Sequence, residues 1–349
     1  MTTTLRRVQT GMVGAYLTSG DVDVVRRVRD LTGRVTVSGK SGLKTLNQLA
    51  AAGDVYGVDY DPARYIERDD DERYLFATDW VAEQRRLGLD VVRSPGAFVD
   101  RKDTVGLQAA FSGGVATDVS RVVSLSSYWL RADNIHQVLA AIQNCDDNLS
   151  IVLADQFDPL RGRDEVESLR MLMDAATVGE RRFELLRTDT HAIAFAAAGG
   201  TLGTIGLSTS GRHHGRPMNQ NARKSMDERS QSPLVWVRQL MSWQRGIRLG
   251  ALEDWGGAGL TDCSCEPCMG RNLLRFNKEF RRVPNDVRAD AQMHDVASWV
   301  DFRNKILGAA DPQASWADAC AVAERVAANL VKDYKVSALT TPASLKFWA

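Results

Sequence analysis

Through the first 260 residues, short apolar runs alternate with amphipathic stretches of helical period, and this alternation limits the possible folds more than any other feature. Strands separated by helices pair most simply in parallel, with each helix crossing back over the sheet. Candidate strands are RVTVSG (34–39), DVYGVDY (54–60), DVVRSPGAF (90–98), RVVSLSSYWL (121–130), SIVLADQF (150–157) and TLGTIGLSTS (201–210). Helical patterns lie between them, in KTLNQLAAA, DWVAEQRRLG, NIHQVLAAIQ, EVESLRMLMDAA and THAIAFAAAG, and a further one, PLVWVRQLMSWQRG, follows the last strand. Neither a GxGxxG turn nor a GxxxxGK[ST] loop follows a candidate strand, which counts against an open nucleotide-binding sheet. The expected fold is an α/β (β/α)₈ barrel.

In such a barrel the strand carboxyl ends carry the active site. Asp59 and Asp61, Ser94, Ser126 and Ser127, Asp155 and Gln156, and Ser208 to Ser210 stand at those ends. Loop chemistry alone also favours Asp, Ser and Gly there. The loop GRHHGRP places Arg212, His213, His214 and Arg216 behind a candidate strand, where they suit phosphate contact or a solvated basic loop equally well. In LRTDTHAIAF, Asp189 and His191 resemble an acid/base pair, and the T-D-T order also suits a helix cap.

Composition excludes little. The 349 residues are 44 % hydrophobic and 25 % charged, and lysine plus arginine (44) balances aspartate plus glutamate (44). A nucleic-acid surface would therefore have to come from local clustering. The opening residues lack the apolar core and cleavage site of a signal peptide, and no run of 18 apolar residues exists. A cytoplasmic protein without a membrane span is expected.

The chemistry is most specific at CSCEPC, where Cys263, Cys265 and Cys268 fall within six residues and His294 follows after 25 intervening positions. Three thiolates and an imidazole make a closed tetrahedral zinc site, structural rather than catalytic. Cys145 and Cys320 are isolated, so a four-thiolate iron–sulfur cluster lacks its last ligand. RNLLRFNKEFRRVP, just after the cysteines, reads as a short amphipathic helix with a basic side that includes Arg275, Arg281 and Arg282. DAQMHDVASWVDF and the stretch from Trp316 to Val331 read as further helices, and Trp236 and Trp243 stand at helical spacing.

The CxCxxC…His pattern, with a basic aromatic-bearing segment after the cysteines and a helix bearing the histidine, resembles the zinc site of the tRNA-guanine transglycosylases. The likeness spans about 50 residues, from roughly Gly250 to Leu307. It implies a barrel over 1–250, a zinc-binding subdomain over 251–300 inserted near the last βα unit, and C-terminal helices over 301–349 completing the barrel. It implies one structural Zn²⁺ and exchange of guanine in tRNA or DNA for a 7-deazaguanine through a covalent aspartyl-glycosyl intermediate. Association into a homodimer or hetero-oligomer through the zinc region is also implied. Departures occur at the catalytic motifs. In SPGAF, Ser94 stands where the family's acid/base aspartate is expected, and in GIRLGALED, Ala251 stands at the nucleophile position. The candidate catalytic carboxylates are then Asp254 as nucleophile, with Asp155 or Asp59 as acid/base. Arg212, His213, Arg275, Arg281 and Arg282 are the candidate phosphate contacts. The alternative is an inactive, zinc-bearing nucleic-acid-binding subunit.

Overall fold

The apolar runs pair as their alternation requires. A computed structural model describes residues 11–18, 20–66, 78–155, 158–178, 180–212, 214, 231–255, 259–334, 336–337 and 339–349, with the side chains of 78, 79, 210, 253–255 and 334 outside the description. The chain forms two compact units, Met1–Pro217 with Trp348, and Met218–Phe347 with Ala349.

In the first unit β1 (Met12–Leu17), β2 (Val35–Ser38), β3 (Val58–Asp61), β4 (Val92–Arg93), β5 (Ala97–Val99), β6 (Val119–Ser126), β7 (Asn148–Ala154), β8 (Phe183–Thr188) and β9 (Leu202–Gly206) make one parallel sheet. Its order is β3-β2-β1-β9-β8-β7-β6-β4, with β5 also on β6. Since β4 and β5 both pair with β6 at successive positions along it, the strands fill eight positions, each strand position parallel to its neighbour. Each is followed by a helix: α1 (Val22–Thr32), α2 (Gly39–Ala51), α3 (Thr78–Arg86), α4 (Thr104–Phe111), α5 (Ile135–Gln143), α6 (Arg163–Val178), α7 (His191–Ala197) and α8 (Thr209–Arg212). The result is a parallel α/β half-barrel. Among the described residues no backbone ladder joins β3 to β4. A buried charge network reaches across that seam instead. Arg93 on β4 donates two 3.0 Å bonds to Glu184 on β8 and lies 3.6 Å from Asp59 on β3.

The split between β4 and β5 has a local cause. Gly96 has φ 86°, and a Cβ there would meet the Tyr65 ring at 2.8 Å and Val122 at 3.0 Å. Only glycine fits this kink without displacing both neighbours.

Two strands are barely marked in the sequence. β1 lies in the amino-terminal stretch MVGAYL, and β8 in FELLRT, immediately before the T-D-T turn. Both are buried along nearly their whole length, as central parallel strands are.

The second unit holds the antiparallel hairpin β10 (Leu234–Val237) and β11 (Ser242–Arg245), then α9 (Gly246–Leu249), α10 (Asn285–Leu307) and α11 (Pro312–Tyr334). The hairpin replaces the helix expected over PLVWVRQLMSWQRG. Trp236 and Trp243 suit a helix by spacing, but they face each other across the ladder with ring centroids 4.7 Å apart. Aromatic and β-branched residues on a half-buried surface favour that pairing. The basic helix expected over 271–284 is likewise reduced to a 3₁₀ turn, Leu273–Phe276. Beyond it, Phe280 exchanges backbone hydrogen bonds of 2.8 and 2.7 Å with Gln231, which draws the segment out straight. α10 and α11 form where helices are expected. No helix among the described residues is long and apolar enough to cross a membrane.

Candidate metal centre and strand-end cluster

The cysteine segment is set by a tight turn. Cys265–Cys268 closes through Cys268 N to Cys265 O at 3.0 Å, and Met269 takes the left-handed conformation at φ 50°. The three sulfurs thereby converge on α10, where His294 is buried. Its Nδ1 lies 3.3, 3.5 and 3.3 Å from Sγ of Cys263, Cys265 and Cys268. All four ligand atoms lie within 4.8 Å of one another, close enough to hold one metal ion. Zn–S bonds near 2.3 Å and a Zn–N bond near 2.0 Å place tetrahedral S···N contacts at about 3.5 Å. The donor set and its spacing are consistent with zinc.

The surroundings suit three thiolates. His294 Nε2 lies 2.9 Å from the Trp236 carbonyl on β10, which fixes the Nε2–H tautomer and leaves Nδ1 free as a ligand. Arg275 Nη2 donates to Cys268 Sγ at 3.0 Å, and Cys265 N to Cys263 Sγ at 3.5 Å. Hydrogen bonding from Cys265 and then the adjacent imidazole pull the Cys263 thiol down to about 3. Burial opposes charge on His294, but its contacts with Cys263 and Cys268 raise it to about 10.

Arg275 belongs to the same neighbourhood. Its guanidinium is committed to Cys268, to Asp290 at 3.0 Å and to the carbonyls of Arg271 and Asn272. These contacts place the guanidinium beside the candidate metal site. Arg281 and Arg282 are exposed. The backbone of Asp254 lies in a 3₁₀ turn, Gly250–Trp255, and its side chain lies outside the described residues, as does all of His213.

In the first unit a second constellation occupies the carboxyl ends of the strands. Asp61, last residue of β3, accepts hydrogen bonds of 2.6 Å from both Tyr16 on β1 and Tyr65. Its other oxygen accepts from Ala63 N at 2.9 Å. Arg187 on β8 lies 5.4 Å from the Tyr16 ring centroid and 5.8 Å from that of Tyr65. Its backbone has φ 56° at a register shift between Leu185 and Thr188. A left-handed arginine inside a strand costs about 1–3 kcal/mol and turns the side chain off the regular pleat. Burial and then the Asp61 charge push both tyrosine hydroxyls well above their ordinary pKa, so both act as neutral donors.

His214 completes the cluster. Its carbonyl accepts from Asp155 N at 3.0 Å, and its ring stands edge-on to Tyr65 (5.2 Å) and Phe98 (6.2 Å). Burial, then the Arg187 charge, lowers its pKa to about 3, so the imidazole is neutral. Its Nε2 is buried and has no hydrogen-bond partner among the described residues. A neutral imidazole with an open position between aromatic edges suits a flat, uncharged heterocycle. A free anion fits less well, since Asp61 already offsets Arg187.

Asp155 is partly exposed beside this cluster, and its carboxylate accepts from Ser127 Oγ at 2.5 Å. Asp59 sits elsewhere. It is fully buried, clamped by Arg34 through two 2.6 Å bonds, and faces Arg93. That geometry makes it an ion-pair anchor in the sheet interior, with no access for a substrate. Arg212 is also buried, with Nη1 on the Gly206 carbonyl at 3.2 Å, so it braces the β9–α8 turn. Tyr16, Tyr65 and Arg187 carry no sequence signal of their own. Asp61 shows one, because the alternation in VDYD places it on the same face as Asp59.

No protein-family model matches this chain, and no curated protein matches it either.

Proposed function

We propose that the protein is a divergent relative of the tRNA-guanine transglycosylases: a closed (β/α)₈ barrel with a structural zinc site, exchanging guanine in tRNA or DNA for a 7-deazaguanine. The observation that carries the reading is the convergence of Cys263, Cys265 and Cys268 on His294 of α10, after eight βα units. Zinc bound by four protein ligands would fold the segment and would not activate water.

The cluster around His214 supports the same reading, because a purine-like base is a flat, neutral heterocycle. Exchange needs a carboxylate to attack the ribose C1′ and a second group to move the base proton. Asp155 has the exposure for one of these roles, with Ser127 orienting it. Asp254 remains the candidate for the other. Arg281 and Arg282 would meet phosphates.

A second reading has its own support. Ser94, at the family's acid/base position, is buried and accepts Val122 N at 2.8 Å, so it holds the sheet together. A chain that keeps the scaffold and lacks that aspartate could bind polynucleotide for a partner enzyme. Incorporation of radiolabelled guanine into tRNA and duplex DNA separates the two. The enzyme reading expects incorporation that Asp155→Asn and Asp254→Asn abolish. No incorporation, with salt-dependent binding whose slope falls by about 1 per residue in Arg281→Ala and Arg282→Ala, favours the binding subunit. Neither incorporation nor binding overturns both.

A further inference from the structure

Asp158, Asp189 and His191 gather where β7 and β8 hand over to their helices, with ligand-type atoms within 4.8 Å of one another. By residue type this is a second metal site. The indole of Trp348 decides otherwise. Trp348 is buried against His191 and Phe195, and its Nε1–H donates to His191 Nδ1 at 2.8 Å. Its carbonyl is held by Arg170 at 3.3 Å. An indole nitrogen can only donate, so Nδ1 must be the unprotonated, accepting nitrogen. In the neutral ring the proton then sits on Nε2, which faces Asp158 Oδ2 at 3.5 Å. Nε2 with its proton in place has no lone pair to give a metal ion.

We infer that Trp348 is a positioning residue that locks His191 in the neutral Nε2–H tautomer, making Asp158–His191 a proton-donor and carboxylate pair and not a metal site. Asp189 completes the arrangement by turning one carboxylate oxygen onto His191 N at 3.0 Å, which fixes the start of α7. Asp158 is set by its own turn, with Oδ1 on Leu160 N at 2.9 Å. Among the described residues Asp158 and Asp189 face this ring, and Arg170 reaches it through the Trp348 backbone. Burial opposes charge on His191, while the two aspartates and the Asp158 hydrogen bond favour it and leave a net upward pull. The indole donor works against that pull, because a doubly protonated ring would set Nδ1–H against Nε1–H at 2.8 Å. The inference is independent of the transglycosylase reading.

Long-range ¹H–¹⁵N correlation spectra of the ¹⁵N-labelled protein test it, with His191 assigned by comparison with His191→Gln. The expected result is that the neutral form, read on the alkaline side of its titration, is a single tautomer protonated on Nε2. In Trp348→Phe, which keeps a ring in place and removes the donor, His191 is expected to titrate at least one unit higher than in the parent. Metal analysis should give one equivalent of zinc per chain, unchanged in His191→Gln. A neutral ring protonated on Nδ1, or a mixture of the two tautomers, in the parent protein overturns the inference, and that measurement needs no variant to fold. A second metal equivalent lost in His191→Gln overturns it as well.

Discussion

Lowering the pH from 7 to 5 should cost the first unit stability through His214 alone, and the size of the loss can be worked out. In the unfolded chain His214 takes up a proton near pH 6.5, while the buried ring resists it down to about pH 3. The folded pKa is depressed, so the unfolded state binds the proton first. Stability is therefore complete above 6.5 and falls as pH drops through the window from 6.5 toward 3. Between pH 7 and 5 the loss is about 2 kcal/mol, a sizeable part of the 5–15 kcal/mol that holds a typical domain together. Urea denaturation should show a midpoint roughly 0.7–1 M lower at pH 5, for an m-value of about 2–3 kcal/mol/M. His214→Gln has no proton to exclude, so its midpoint should lose that much less over the same interval. The other histidines are common to both proteins and cancel in the difference. Parallel pH curves for the two proteins would show that His214 is not held neutral, and the reading of its neighbourhood as a site for an uncharged heterocycle would fall with it.

Two further outcomes are expected. His294→Ala removes one of four ligands. If each contributes about a quarter of the roughly 10–16 kcal/mol typical of structural zinc, affinity should fall about 60- to 700-fold, measured by competition with a chromogenic chelator. The variant should also unfold at lower temperature, since the Trp236 carbonyl loses its donor at a cost of about 1–3 kcal/mol; unchanged zinc content and Tm would refute the assignment. Asp59→Asn leaves Arg34 and Arg93 without their shared counter-charge and should destabilise by about 3–5 kcal/mol in denaturant titration. Burial raises the Asp59 pKa, but Arg34 and Arg93 outweigh it and hold it below the ordinary value. Its contribution is therefore full above about pH 3.9 and lost as pH falls through the lower folded value. The variant should lack that part of the acid transition, and an acid transition identical to the parent's would count against the pairing.

The metal centre was legible because its information is local. Three cysteines within six residues can hardly avoid converging, and one helix had only to present His294. The βα alternation was legible for a related reason, since each crossover is written in the period of its own residues. Period alone failed where two structures share it. Trp236 and Trp243 lie seven apart, which suits a helix as well as a hairpin, and partner strands settle the choice. β1 and β8 were faint because strands buried on both faces show no alternation to count.

The strand-end cluster was beyond reach for a deeper reason. Tyr16, Asp61, Tyr65, Arg187 and His214 come from β1, β3, β8 and the segments following β3 and β9, and no spacing connects them. They meet because parallel pairing brings the strand carboxyl ends to one edge of the sheet, and a register shift sits at Arg187. Asp59 and Asp61, two residues apart on the same strand face, diverge for the same cause: one is enclosed by Arg34 and Arg93, the other lies under Tyr16 and Tyr65. Residue identity and local spacing sufficed to name the four residues of a candidate metal site and the class of the sheet. Which carboxylate is buried in an ion pair and which stands beside an open hydrogen-bond position depended on neighbours far away in the chain, because charge and burial act through space.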